Sequence, residues 1–247
     1  MSNKKVRTEL LQIMLDATKR ISIGITSYVH VYSNALVNLI SMDHYLIQVI
    51  YTYLQKLGEL ERTLPTDNTQ QPINDLGDKY NEAIHILHDK EVGDKIVNHH
   101  EKKITKNFIK NNYSVTFPEK ETFDNNYRKE LVEKMILANE NITSDSDTTF
   151  LAHEYASLFK QIGNPKELNN AELIRVYEDE EERLVRFRED WGYSVLDDHS
   201  QSEIKRRELI INNQEILLND LEAGYEEAIE YFAGKKQRVL QSNPKEN

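Results

Sequence analysis

Ile204, Ile211, Leu218, Tyr225 and Phe232 stand seven residues apart in an unbroken series. An α-helix returns a side chain to nearly the same face at that interval, so the series commits the C-terminal part of the chain to a long helix with an apolar seam. Leu221 and Ala228 supply second seam positions. Upstream, Leu173, Tyr177, Glu180, Leu184, Phe187 and Trp191 alternate spacings of four and three. Two such stripes, separated by Gly192 to Ser202, predict an antiparallel helical hairpin. If its second helix ran from Ser202 to Leu240 it would be about 58 Å long, at about 1.5 Å per residue.

The remaining sequence also favours long helices. Gly (8) and Pro (5) are scarce, so few positions punctuate the chain. Apolar residues step by four and three from Tyr28 through Tyr32, Ala35, Leu39, Met42, Leu46 and Val49 to Tyr53, predicting a helix that ends near Leu64. An earlier helix is expected over Val6 to Arg20, with no evident cap to fix its start and Gly24 as a hinge. The turn-forming run from Pro65 to Pro72 reads as a linker, followed by a second long helix from Asn74 to about Asn111. Tyr113 to Phe117 alternates like a short strand. Shorter helices are expected over Asn126 to Asn139 and Thr148 to Ile162. The expected fold is all-α, an elongated bundle of long helices with a C-terminal antiparallel coiled-coil-like hairpin. Its sections are N-terminal helices (1–64), linker plus second long helix (65–118), connecting short helices (119–166), hairpin (167–240) and a disordered tail (241–247).

Charge and composition narrow the function classes. The net charge of −11 is concentrated in 119–247, which carries −12, against +2 for 1–64 and −1 for 65–118. An acidic surface repels phosphate backbones and anionic lipid heads, so neither nucleic acid nor a membrane is the default partner. No run of about 18 apolar residues is present to span a bilayer, and a cytoplasmic protein is expected. The absence of cysteine removes disulfides, thiolate nucleophiles and Cys-ligated metal sites. The glycines are scattered singly, so no phosphate-cradling loop of the usual kind can form.

The residues with a catalytic look are Glu82, His85, His88 and Asp89, followed by His99, His100 and Glu101. Imidazole and carboxylate groups one helical turn apart can share a metal. The adjacent His88-Asp89 pair resembles that of the HD phosphohydrolases, helical enzymes that use a His, a His-Asp pair and a later Asp. The resemblance implies a divalent metal at His85, His88 and Asp89, with His30 or His44 as the first ligand; no later Asp stands out. Glu82-x-x-His85 matches half of a di-iron carboxylate signature, but no second Glu-x-x-His pair exists among the eight histidines.

A non-enzymatic scaffold or adaptor fits the pattern best. Seven-residue seams on thin helices call for a cover, and another chain is the simplest one, giving a homo- or hetero-oligomer. The seam residues expected at the interface are Ile204, Ile211, Leu218, Leu221, Tyr225 and Phe232 on one helix and Leu173, Tyr177, Leu184, Phe187 and Trp191 on the other. A third reading rests on similarity in size and helix length to membrane-bending BAR domains, whose basic faces would have to be matched by Lys102, Lys103, Lys106 and Lys110 or by Lys205, Arg206 and Arg207.

Overall fold

A computed structural model describes residues 2–62, 67–89, 124–142, 149–194 and 201–234. Among these residues the chain is all-α, with seven helices and no strands. They are α1 (Asn3–Ser22), α2 (Tyr28–Arg62), α3 (Asp67–Leu87), α4 (Asn125–Asn141), α5 (Thr149–Ile162), α6 (Pro165–Ser194) and α7 (Gln201–Phe232). The short strand expected at Tyr113 to Phe117 and the tail 241–247 lie outside the described residues.

Local chemistry accounts for the helix ends. Ser2 caps α1, its hydroxyl accepting from the Lys5 N–H, which places the start ahead of the expected Val6. Gly24 follows α1 with φ +92°, a conformation that suits glycine and turns the chain into α2. Asp124 caps α4 through the Tyr127 N–H. Asn164 accepts from Lys166 N–H and Glu167 N–H at 3.1 and 3.0 Å, and Pro165 occupies the first turn of α6, where its missing N–H costs nothing.

Three sequence expectations are corrected. The helix expected from Asn74 begins at Asp67, so part of the presumed linker is helical; Pro72 falls in its second turn and removes one N–H from the ladder. That helix stops at Leu87 rather than running on to Asn111, and the left-handed Asp89 (φ 60°) marks the break. In the hairpin, α6 continues through Gly192 to Ser194, while α7 ends at Phe232 rather than Leu240, followed by Gly234 at φ +69°.

Helices α1 to α5 pack around a shared apolar core. α1 lies between α2 and α4, α3 packs along α2, and α5 sits against α4 and α2. The core includes Leu11, Met14, Leu36, Leu39, Ile50, Val132, Met135 and Ala156, and is joined by the root of the hairpin through Leu168, Ala171, Ile174, Ala228 and Phe232. Two buried ion pairs pin this body. Arg7 on α1 grips Asp43 on α2 with Nε at 2.6 Å and a second nitrogen at 3.0 Å. Asn139 on α4 accepts a third Arg7 hydrogen bond at 3.1 Å, and Tyr155 on α5 donates to Asp43 at 2.7 Å. Four helices thus meet at one enclosed charge pair. Burial alone would lower the Arg7 pKa, but the Asp43 carboxylate, with Tyr155 and Asp89, together more than offset it and the net shift is upward.

The second pair anchors the hairpin. Arg128 on α4 donates to Glu167 on α6 at 2.8 Å and to Asn125 at 3.1 Å, while Tyr231 on α7 donates to the same Glu167 oxygen at 3.1 Å. Burial pushes the Glu167 carboxyl up, against the opposing pull of Arg128. Beyond this root, α6 also touches the start of α2, where His30 bonds to Glu178 and accepts or donates a 2.9 Å bond with Tyr225.

Candidate functional site

The hairpin is antiparallel, since contacts step in opposite directions along its helices. Tyr177 stacks on Tyr225 with ring centroids 4.0 Å apart, and Arg188 further out on α6 pairs with Glu215 earlier on α7. Within this pair Leu184 and Ile211 are buried, and Leu173, Tyr177, Phe187, Ile204, Leu218, Leu221 and Tyr225 are half-buried. Phe232 is fully buried at the root, against Tyr32 and Arg128. The side chain of Trp191 lies outside the described residues. The seam read from the sequence is therefore closed within the chain, by α6 on α7, and its residues are largely occupied with one another.

What the closed seam leaves uncovered is the opposite face of α7. Leu209 is 60% exposed, Ile216 58%, Leu217 45% and Ile210 36%. Exposing four large aliphatic side chains on one helix is costly in water. The four fall on one stripe because 209 to 216 and 210 to 217 are each two turns apart. Arg206 and Asp220 lie on the same stripe at its two ends, and Asn213 at its middle, all three exposed. None of the four aliphatics belongs to the seam series. The signal was nonetheless in the sequence, as a second set of seven-residue spacings offset from the first.

From Asp179 to Asp220 no described residue of the hairpin joins the common core. Among the described residues α7 packs extensively on α6 alone. The arm therefore presents the α7 stripe on a helical pair held at its root by the Arg128–Glu167–Tyr231 cluster.

The described histidines are dispersed over several helices. His85 is exposed on α3, and His88 and Asp89 are half-buried in the turn that follows it; Asp89 accepts a long 3.5 Å bond from the Lys4 backbone N–H. Among the described residues no group of three His, Asp or Glu side chains is arranged to hold a metal, so His85, His88 and Asp89 are not brought together as one. His99, His100 and Glu101, with Lys102, Lys103, Lys106 and Lys110, lie outside the described residues. His153 bonds to the Tyr80 hydroxyl at 2.6 Å, in a cluster where Tyr80 stacks on Tyr53. Burial, aided by Lys160, lowers the His44 pKa to about 4. His30 is held between Glu178 and Tyr225. His30 and His153 thus bridge helices through hydrogen bonds.

Among the described residues no helix is long and apolar enough to cross a membrane. Comparison with protein-family models, with curated proteins and with solved structures finds no match to this chain.

Proposed function

We propose that this chain is a non-enzymatic helical assembly protein that acts through protein–protein contacts made by its hairpin arm. The observation that carries this reading is the stripe of Leu209, Ile210, Ile216 and Leu217 on the outward face of α7. The inward face of the same helix is already used by α6, so the stripe is surplus to the fold of one chain. A helix that is apolar on two faces and polar between them has a place for a second partner. The stripe is interleaved and flanked on α7 by the charged residues Lys205, Arg206, Arg207, Glu208, Glu215 and Asp220, which keep the arm hydrated and confine association to the stripe.

Light scattering coupled to size-exclusion chromatography, run from roughly 1 to 100 µM to bracket micromolar association, tests self-assembly. The expected result is a mass that rises above the 29.0 kDa of one chain as concentration increases. A constant single-chain mass across that range contradicts self-assembly.

A further inference from the structure

We infer that the partner on the α7 stripe is a second copy of this chain, with the two α7 helices antiparallel about a two-fold axis through Asn213; this rests on the assembly reading above and specifies it. The order of residues along the stripe points to this pairing. Reading outward from Asn213 in both directions gives Ile210 and Ile216 three residues away, Leu209 and Leu217 four away, and Arg206 and Asp220 seven away. The apolar residues form a palindrome, and the charges at its ends are opposite.

An antiparallel pair centred on residue 213 sets residue i of one copy level with residue 426 − i of the other, which follows from the two-fold alone. Leu209 and Ile210 of one copy then share a layer with Ile216 and Leu217 of the second. The axis generates an identical layer on the other side. Arg206 of each copy comes level with Asp220 of the other, closing both ends with opposite charges. In a parallel pair Arg206 would meet Arg206 and Asp220 would meet Asp220, so the charges select the antiparallel arrangement. The two Asn213 side chains meet on the axis, where an amide among aliphatic residues fixes register through a bond that a slipped pairing would lose. All seven positions are exposed in the single chain and available for this contact.

The pairing spans 14 residue steps, about 21 Å along the helix, which makes it a small interface. The expected dissociation constant is on the order of 10 µM. Each substitution acts twice in a two-fold interface, so charge reversal has a clear signature.

Sedimentation equilibrium on the full chain provides the test, with circular dichroism as the check on folding. The wild-type chain is expected to form a dimer, Arg206→Glu and Asp220→Arg to weaken it about tenfold or more each, and the combined R206E/D220R chain to recover the wild-type constant within about threefold. Because the chain has no cysteine, Asn213→Cys introduces a single thiol, expected to form a disulfide-linked dimer on air oxidation. Asn219→Cys, exposed on the flank of the same helix, is the control expected to remain uncoupled. A dimer indifferent to both charge reversals, with the thiol at 219 coupling as readily as that at 213, overturns this pairing and leaves assembly through another surface. A monomer throughout overturns self-pairing altogether and leaves the assembly reading with a different protein as partner.

Discussion

In the body, α2 encloses Leu36, Leu39, Ile47 and Ile50 almost completely, and even its charge Asp43 is sealed from solvent. In the arm, α7 between Ile204 and Leu221 encloses only Ile211. Both helices carry apolar residues at helical spacing, so periodicity does not distinguish them. The number of neighbours does: α2 is wrapped by α1, α3, α5 and α6, whereas among the described residues α7 packs extensively on α6 alone. A helix with one neighbour covers one face, and any second apolar face stays in water until another molecule reaches it. Identical patterns thus serve core formation in one region and, on our reading, association in the other.

The largest effect is expected from disturbing a buried charge in the body. Arg7→Met leaves Asp43 enclosed without its cation and is expected to lower unfolding free energy by about 3–5 kcal/mol, measured by urea denaturation. A loss below about 1 kcal/mol would mean that the four-helix junction is not closed. Next in size is a pair of cavity substitutions. Leu36→Ala in the body is expected to cost about 3 kcal/mol and Leu184→Ala in the arm about 2 kcal/mol, because the arm can relax more freely around the lost atoms. Equal losses would show the arm to be as tightly walled as the body.

A smaller effect is expected from pH. The His44 pKa is lowered to about 4 in the fold, so the unfolded chain binds the proton more readily. This contribution is fully present above pH 6.5 and is lost as pH falls from there towards about 4. Allowing for partial exposure, the loss is on the order of 2 kcal/mol. His44→Gln should flatten that part of the stability–pH curve relative to wild type, and an unchanged slope would assign the effect to other groups. The smallest expected change is in the arm: Glu215→Gln removes the exposed pair with Arg188 and should cost less than about 1 kcal/mol in the same denaturation assay.

Much of the fold was legible because long stripes, turn clusters and sparse glycine all pointed the same way. The ends of α2, α4 and α5 lie close to where spacing put them. Errors fell where short-range chemistry competed. Pro65 to Pro72 reads as a turn-forming run, yet α3 starts inside it at Asp67, and Asp89 takes a left-handed turn that no apolar period records. The buried ion pairs were half legible. Asp43 occupies a place in the buried series Leu36, Ile40, Ile47 and Ile50, and a carboxylate there demands a partner. That the partner is Arg7, 36 positions away, depends on how α1 lies on α2. The residues expected at an interface show the same limit: the strongest heptad series marks the seam that closes internally, and only the three-dimensional placement of α6 shows which α7 stripe is left over.

On our reading the outer stripe of α7 serves association and contributes nothing to the fold of a single chain. Its most direct test compares wild type with Leu209→Ser/Ile216→Ser in parallel measurements of solution mass and thermal unfolding at low concentration. The account predicts that wild type gains mass with concentration while the variant stays at 29.0 kDa, with its melting temperature in dilute solution unchanged. A variant that melts well below wild type in dilute solution, or that assembles as wild type does, would contradict it.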